Sequence, residues 1–358
     1  MTGPLLSVVV PAYDVEEYLD ATLANLAEQT YGSFEVVVVD DGSHDGTPAI
    51  VEAWSRRDER FRLVRQDNAG PSAARNTGIA HCAGSYLTFV DGDDLLPPEA
   101  WAGLVGSLER TGSDFSVGKI ERDDGERRFA TERMERNHAV LRERVRVEEM
   151  PEILADVFPV NKVYRREFWD RLGLRFPEGV FYEDQPVMTI GFLEGTFDVL
   201  PETVYWYAIR RDKTSTTQLR HQLSDLSDRM VTKRMTVASV QDHGSAAVSH
   251  TFFANVLPVD MWEYFRSVPG CSEEYWQLLH DGVNEFWTQE TVTFDRTEVP
   301  VQQRLMGWLV SQGRREDLVD LLDWLDTSGR PTVQQDGVAV LDHRWRTEAG
   351  VPLGCLVP

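Results

Sequence analysis

The chain has 358 residues, 42% hydrophobic and 27% charged, enough to bury a sizeable core in about two domains. Its 36 basic residues face 59 acidic ones, a formal net charge of −23 at pH 7. That balance excludes a general affinity for nucleic-acid backbone and opposes an anionic membrane surface. No apolar run approaches the ~20 residues of a membrane helix, and no signal-peptide pattern opens the chain. Cys82, Cys271 and Cys355 are too scattered for a zinc spacing or a disulfide framework. A cytoplasmic protein with reduced thiols and no transmembrane anchor is expected, reaching the inner membrane face through a partner.

In chain order, Leu5–Val10 is a β-branched apolar run that predicts a buried parallel strand stopping at Pro11. Val15, Tyr18, Leu19, Leu23 and Leu26 recur at helical spacing, with Asp14 as N-cap. Phe34–Val39 predicts a second strand, ending in Asp40-Asp41-Gly42-Ser43. Thr47-Pro48 then caps and opens a helix through Ile50, Val51 and Trp54. Phe61–Val64 is a third strand, Pro71–Ala80 a helix, and Tyr86–Val90 a fourth strand running into Asp91-Gly92-Asp93-Asp94. This alternation predicts an open α/β sheet, with ligand groups at the carboxyl ends of its strands. Three polar clusters, Pro11–Asp14, Asp40–Ser43 and Asp91–Asp94, fall at those places. From about Leu223 the pattern turns mainly helical, with Leu318, Val319, Leu321, Leu322 and Leu325 as one amphipathic stripe and Gly337–Leu341 as a short strand. The ending at Val357-Pro358 is expected to mark a fragment of a longer protein.

Several clusters allow two readings. Asp91-Gly92-Asp93 offers two carboxylates to a hard cation such as Mg²⁺ or Mn²⁺, or is simply a turn. Asp40-Asp41-Gly42-Ser43 has ordinary turn composition. Asn68–Asn76 could carry a loop into a helix N-terminus facing an anion, or leave Arg75 on a solvated face. Glu183-Asp184 could include a general base or merely cap a helix. Trp206–Arg210 reads as strand, its aromatics core or stacking platform, followed by a polar loop over Arg211–Thr217. Residues 119–146 hold nine basic and seven acidic side chains, whereas residues 1–118 hold seven and nineteen. The middle stretch is either a solvated face or a basic rim for an anionic acceptor.

Taken as an ordered set, these motifs resemble the inverting, nucleotide-sugar-dependent glycosyltransferases of family 2, with a GT-A fold. The matching pieces are Ser7–Tyr13, Gln29-Thr30-Tyr31, Val39–Ser43, Asn68-x-Gly70, Ala74-Arg75-Asn76-x-Gly78, Asp91–Asp94 and Glu183-Asp184-Gln185. They cover about residues 5–217. The family usually has Asn where this chain has Asp14, a swap that keeps a capping residue. The resemblance implies a mixed sheet flanked by helices over residues 1–220, with a nucleotide-binding half to about 118 and an acceptor half beyond it. A mostly helical extension follows over 221–358. Pro11, Ala12 and Tyr13 would line the base pocket of a UDP-sugar, and Asp41 would bond the uracil. Asn68 and Arg75 would lie near uracil, ribose or diphosphate, and Asp91 with Gly92 near ribose and sugar. Asp93, with Asp91, would hold Mn²⁺ or Mg²⁺. Asp184 would be the general base, with Glu183 holding it or the acceptor.

Within the family, Asn161–Arg166, Glu183–Gln185 and Arg210-x-x-Lys213-x-Ser215 resemble the wall teichoic acid glycosyltransferases, which decorate poly(polyol phosphate). That implies Arg210, Lys213 and Ser215 closing over the diphosphate, and Arg127, Arg128 and Lys213 meeting an anionic acceptor. It also implies GlcNAc or glucose as the sugar, and a trimer or dimer formed through the C-terminal region. Two rivals remain: a non-catalytic nucleotide-sugar or glycan-binding protein on the same fold, and a glycoside hydrolase using paired carboxylates.

Overall fold

The structure, a computed structural model, describes residues 3–209, 220–328, 332–335, 338–344 and 350–357. It divides into two compact units, Met1–Lys213 and Thr214–Pro358. Among the described residues, the strands of the first unit are β1 (Leu6–Ala12), β2 (Phe34–Asp40), β3 (Phe61–Arg65), β4 (Tyr86–Phe89), β5 (Phe115–Asp123), β6 (Arg128–Phe129), β7 (Arg142–Val145), β8 (Lys162–Arg165) and β9 (Phe197–Ala208). Its helices are α1 (Glu16–Ala27), α2 (Thr47–Arg57), α3 (Pro71–His81), α4 (Ala100–Thr111), α5 (Glu132–Asn137), α6 (Arg166–Leu172) and α7 (Asp184–Glu194).

The strands form one mixed sheet in the order β3-β2-β1-β4-β8-β5-β9-β7, with β6 paired to β5. β3, β2, β1 and β4 run parallel. β8 enters antiparallel between β4 and β5. The valines explain the parallel half. Val8, Val9 and Val10 on β1 and Val36–Val39 on β2 are fully buried, worth about 1.5–3 kcal/mol each. α3 settles directly on them. A β-carbon on Gly78 would stand 2.4 Å from Val9 Cγ1 and 3.2 Å from Val39 Cγ2, so only glycine permits this approach.

Local details depart from the sequence expectations for physical reasons. β1 continues past Pro11 to Ala12. The β4 ladder stops at Phe89 opposite Val9, so proline's missing donor falls where β1 is paired on one side only. Asp14 is not the cap of α1; that position is Val15, without a side-chain bond. Asp14 sits instead in the left-handed region, φ 48°, which short polar side chains tolerate. Its Oδ1 accepts from His44 N at 2.7 Å, while its own N–H donates to Ser43 Oγ at 3.1 Å. Thr47 is likewise the first residue of α2, not its cap. Asp45 accepts from Thr47 N at 2.9 Å, and Thr47 Oγ1 accepts from Val15 N at 2.9 Å.

The second unit is helical over most of its described residues. It holds α8 (Leu223–His243), α9 (Ala246–Thr251), α10 (Met261–Arg266), α11 (Glu273–Phe286), α12 (Val301–Ser311) and α13 (Arg315–Ser328). A hairpin of β10 (Thr332–Gln335) and β11 (Val338–Leu341) follows. Leu318, Leu321, Leu322 and Leu325 are buried, but Val319 turns outward, 37% exposed. One residue past Leu318 it is rotated by about 100°, off the buried stripe. Among the described residues, no helix is long and apolar enough to cross a membrane.

Candidate active site

Because β1, β2 and β4 are parallel, the three polar clusters share one edge of the sheet. At the end of β1, Ala12 is buried, Pro11 half-buried, and Tyr13 44% exposed, its ring edge-on to His44 at 6.1 Å. At the end of β2, Asp40 receives Ser43 N and Arg65 Nε at 3.1 and 3.2 Å. Asp41 is 3% exposed. It accepts from Gln66 Nε2 at 2.7 Å, Ala69 N at 2.9 Å and Gly70 N at 2.8 Å. A carboxylate offers about four lone-pair positions, so Asp41 chiefly ties the loop entering α3 to β2. Asn68 lies exposed on that loop. Gly42 makes the crossing possible: at φ +77°, its β-carbon would meet Asn68 N at 2.9 Å.

Arg75 gathers the rest. The loop carries it onto α3, where its side chain is 6% exposed. Its Nη1 donates to Glu183 Oε1 at 2.6 Å and to Asp184 Oδ1 at 3.4 Å; its Nη2 donates to Asp91 Oδ1 at 3.1 Å. Phe176 lies beside the guanidinium, 5.4 Å to the ring centroid. Asn76 fixes that segment, accepting from Phe176 N at 3.0 Å and donating to its carbonyl at 2.9 Å. One buried guanidinium thus brings together acids from the end of β4 and the start of α7. Burial works against its charge, but Asp184, Asp91 and Glu183 outweigh that and raise its pKa.

Three carboxylates around one cation leave excess negative charge. Burial, reinforced by Glu183 and Asp91 and opposed by Arg75 and Lys162, pushes the Asp184 carboxyl up to about 8. Its side chain keeps 28% of its exposure, enough to be reached, whereas the Glu183 side chain keeps 8%. Just before them, Tyr182 adopts φ +66°, a costly conformation for a non-glycine residue that turns the chain into α7.

Asp91-Gly92-Asp93-Asp94 closes with Asp94 N donating to Asp91 O at 3.2 Å. Gly92 is buried; a β-carbon there would stand 3.3 Å from Val15 Cγ2 and 3.4 Å from Pro11 O. Asp94 is structural. It accepts from Tyr205 Oη and from Ala208 N, both at 2.7 Å, while Tyr205 Oη accepts from Asp91 N at 3.1 Å. Burial and then Asp91 and Asp93 push Asp94 well above the usual carboxylate range. Asp91 and Asp93 remain half-exposed. Among the described residues, no group of three or more His, Cys, Asp or Glu is arranged to hold a metal ion by itself. Two carboxylates fit a hard cation that takes its other oxygens from a diphosphate and water.

The remaining expectations divide. Arg127 and Arg128 sit on the β5–β6 hairpin, each beside its own carboxylate: Asp124 at 3.6 Å and Asp123 at 2.8 Å. Arg128 also stacks 3.6 Å over Trp206. Arg210, Lys213 and Ser215 lie outside the described residues. Gln29-Thr30-Tyr31 is structural: Gln29 Nε2 donates to Pro97 O at 2.8 Å and Thr30 Oγ1 to Pro98 O at 3.1 Å. The sequence reading missed Tyr205, Phe176 and Tyr182. Each acts through contacts distant in sequence or through a backbone angle that no local pattern encodes.

Residues 7–173 match Glycosyl transferase family 2. The glycosyltransferase EpsJ of Bacillus subtilis is 31% identical over 229 residues, 61% of this chain and 64% of that protein. The glycosyltransferase GlyA of Streptococcus pneumoniae is 31% identical over 240 residues, 63% of this chain and 34% of that protein. This chain therefore spans less than two-thirds of the length of these curated relatives. Among solved structures, S. aureus TarS 1–349 in complex with UDP-GlcNAc superposes with a TM-score of 0.66 and 19% identity, covering 99% of each chain. The likeness in fold extends through the helical region. With the motifs in family order on this sheet edge, residues 7–173 form a glycosyltransferase family 2 domain, on a GT-A-like fold.

Proposed function

We propose that this chain transfers a sugar from a UDP-sugar, by inverting displacement, to a hydroxyl of an anionic cell-surface polymer. The observation that carries the reading is the meeting of Asp91, Glu183 and Asp184 on Arg75, with Asp184 the reachable acid held near neutral pKa. A proton acceptor then stands beside the acids expected on the donor side. Asp184 Oδ takes the proton of the acceptor hydroxyl as its oxygen bonds the anomeric carbon. The bond from that carbon to the nucleotide diphosphate breaks, and its electron pair leaves with the diphosphate. No second carboxylic acid is needed for the leaving group, unlike a glycosidase.

Arg75 aims Asp184, and the nearly buried Glu183 balances the arginine. Tyr13, exposed at the end of β1, would stack on the base, with Pro11 and Ala12 as the pocket floor. Asp41, through Ala69 and Gly70, keeps the Asn68 loop against that pocket. Asp93 with Asp91 would hold Mn²⁺ or Mg²⁺, which supplies Lewis-acid neutralisation of the departing diphosphate. The UDP-GlcNAc complex of the TarS fold relative supports UDP-GlcNAc as the donor to try first. Poly(polyol phosphate) as acceptor rests on the motif resemblance. Arg127, Arg128 and Lys213 are proposed acceptor contacts; Arg210 and Ser215 are proposed to close over the diphosphate. A homo-oligomer formed through the C-terminal region belongs to the same reading.

The test is a panel of nucleotide-sugars incubated with Mn²⁺, reading released nucleotide with and without poly(ribitol phosphate) or poly(glycerol phosphate). UDP release from one sugar, raised by the polymer and abolished by a chelator, is expected. Release indifferent to polymer would overturn the acceptor; no release, with UDP still bound, would overturn the transferase.

A further inference from the structure

The carboxyl end of β9 sets an aromatic ring beside the Asp91–Asp94 turn. Trp206 is half-buried, and strand alternation turns it to the face opposite Tyr205. Its backbone meets Leu95 in both directions: Trp206 N donates to Leu95 O at 2.8 Å, and Leu95 N to Trp206 O at 3.3 Å. Two residues on, Ala208 N donates to Asp94 Oδ1 at 2.7 Å. The indole is therefore anchored one residue beyond the turn.

β5 pairs with β9 at this end, Asp123 opposite Ala208, and with β6, Asp123 opposite Arg128. Arg128 reaches across β5 to lie over the indole, its guanidinium carbon 3.6 Å from the ring centroid. Its Nε donates to Asp123 Oδ2 at 2.8 Å. Among the described residues, neither Nη1 nor Nη2 of Arg128 has a hydrogen-bond partner. The side chain is 40% exposed.

A guanidinium held by one edge and one face presents its outer fork in a fixed direction. Two parallel N–H donors match two oxygens of one phosphate, and little side-chain freedom is left to lose on binding. The neighbouring acids are engaged within the hairpin. Asp123 Oδ1 accepts from Gly125 N at 2.9 Å, and Asp124 Oδ1 accepts from Glu126 N and Arg127 N, both at 2.9 Å. Arg127 has no such setting: its side chain is 76% exposed, and its carboxylate partner lies 3.6 Å away.

We propose that Arg128, laid on Trp206, is a built phosphate-binding point that grips one phosphodiester of the acceptor, with Trp206 as its positioning residue. The inference rests on the acceptor being a polyol-phosphate polymer. It gives the indole a use and sets Arg128 apart from Arg127 as the directed contact.

The test is direct binding, without donor, of poly(glycerol phosphate) and of poly(ribitol phosphate), measured by calorimetry. Arg128→Met should weaken binding about tenfold or more, the usual worth of hydrogen bonds to a charged group. Arg128→Lys should recover little, because a point charge lacks the fork. Trp206→Leu should weaken binding in the same direction, Trp206→Phe should keep most of it by keeping a ring, and Arg128→Met added to Trp206→Leu should cost little more. UDP affinity in the presence of Mn²⁺ should hold in all of them, since Trp206 meets Leu95 through backbone atoms alone. A loss of UDP affinity in Trp206→Leu would mean that the indole merely supports the Asp91–Asp94 turn, and would overturn its positioning role. Polymer binding that survives Arg128→Met, or is fully restored by Arg128→Lys, would overturn the inference alone. A wild-type protein that binds neither polymer would overturn the acceptor reading and the inference with it.

Discussion

Asp184→Asn is expected to cut turnover by about 10²–10⁴-fold, the usual contribution of a positioned general base, while UDP binding stays near wild type. Binding is spared because the substitution leaves Arg75 held by Glu183 at 2.6 Å and Asp91 at 3.1 Å. The wild-type pH profile supplies the second readout. The base acts only when deprotonated, and its carboxyl in the unliganded protein lies at about 8. kcat/KM, which reports the free enzyme, should therefore rise with pH up to about 8 and level off above it. Stability runs the other way. A folded-state pKa above the unfolded value means more protons bound when folded, a contribution present at low pH and lost as pH rises through about 8. Asp184→Asn should therefore melt no lower than wild type at about pH 9, above that midpoint. A catalytic loss accompanied by a collapsed melting temperature would speak for misfolding instead.

Arg75→Met is expected to lose both activity and stability. Removing one partner of a buried charge cluster typically costs about 3–5 kcal/mol, because Asp91, Glu183 and Asp184 would then lose the guanidinium that bonds all three. Denaturant unfolding measures the deficit. It should widen as pH rises through about 8, where Asp184 ionises, and narrow below that point. Arg75→Lys should restore little. A lysine ammonium is a point donor and cannot span carboxylates that the two guanidinium nitrogens reach on separate sides. A deficit independent of pH would mean that Arg75 acts by packing against Phe176 alone.

How much of this was legible follows from the range of each interaction. The parallel half of the sheet was readable because runs such as Val8–Val10 and Val36–Val39 specify buried strands locally, and Pro48 and Pro71 open helices by rules of the first turn. The insertion of β8 was not readable. Lys162–Arg165 is a short strand defined by partners on β4 and β5, not by its own pattern. Arg75 could be picked out, but its partners lie 16, 108 and 109 positions away. Asp14 fits a cap by pattern, because the same short carboxylate suits an N-cap and a left-handed turn alike. The basic excess over residues 119–146 was real as a count, yet Arg127 and Arg128 meet Asp124 and Asp123 within one hairpin.

If Asp184 alone drives the transfer, the displacement is direct and no sugar is ever bonded to the protein. The configuration of the newly formed linkage reads this out, by NMR from the anomeric coupling of the product made from an α-linked UDP-sugar. A β-linked product is predicted, because a single in-line displacement inverts the anomeric carbon. An α-linked product would rule this mechanism out, since retention needs a second step or a nucleophile that a lone base does not provide.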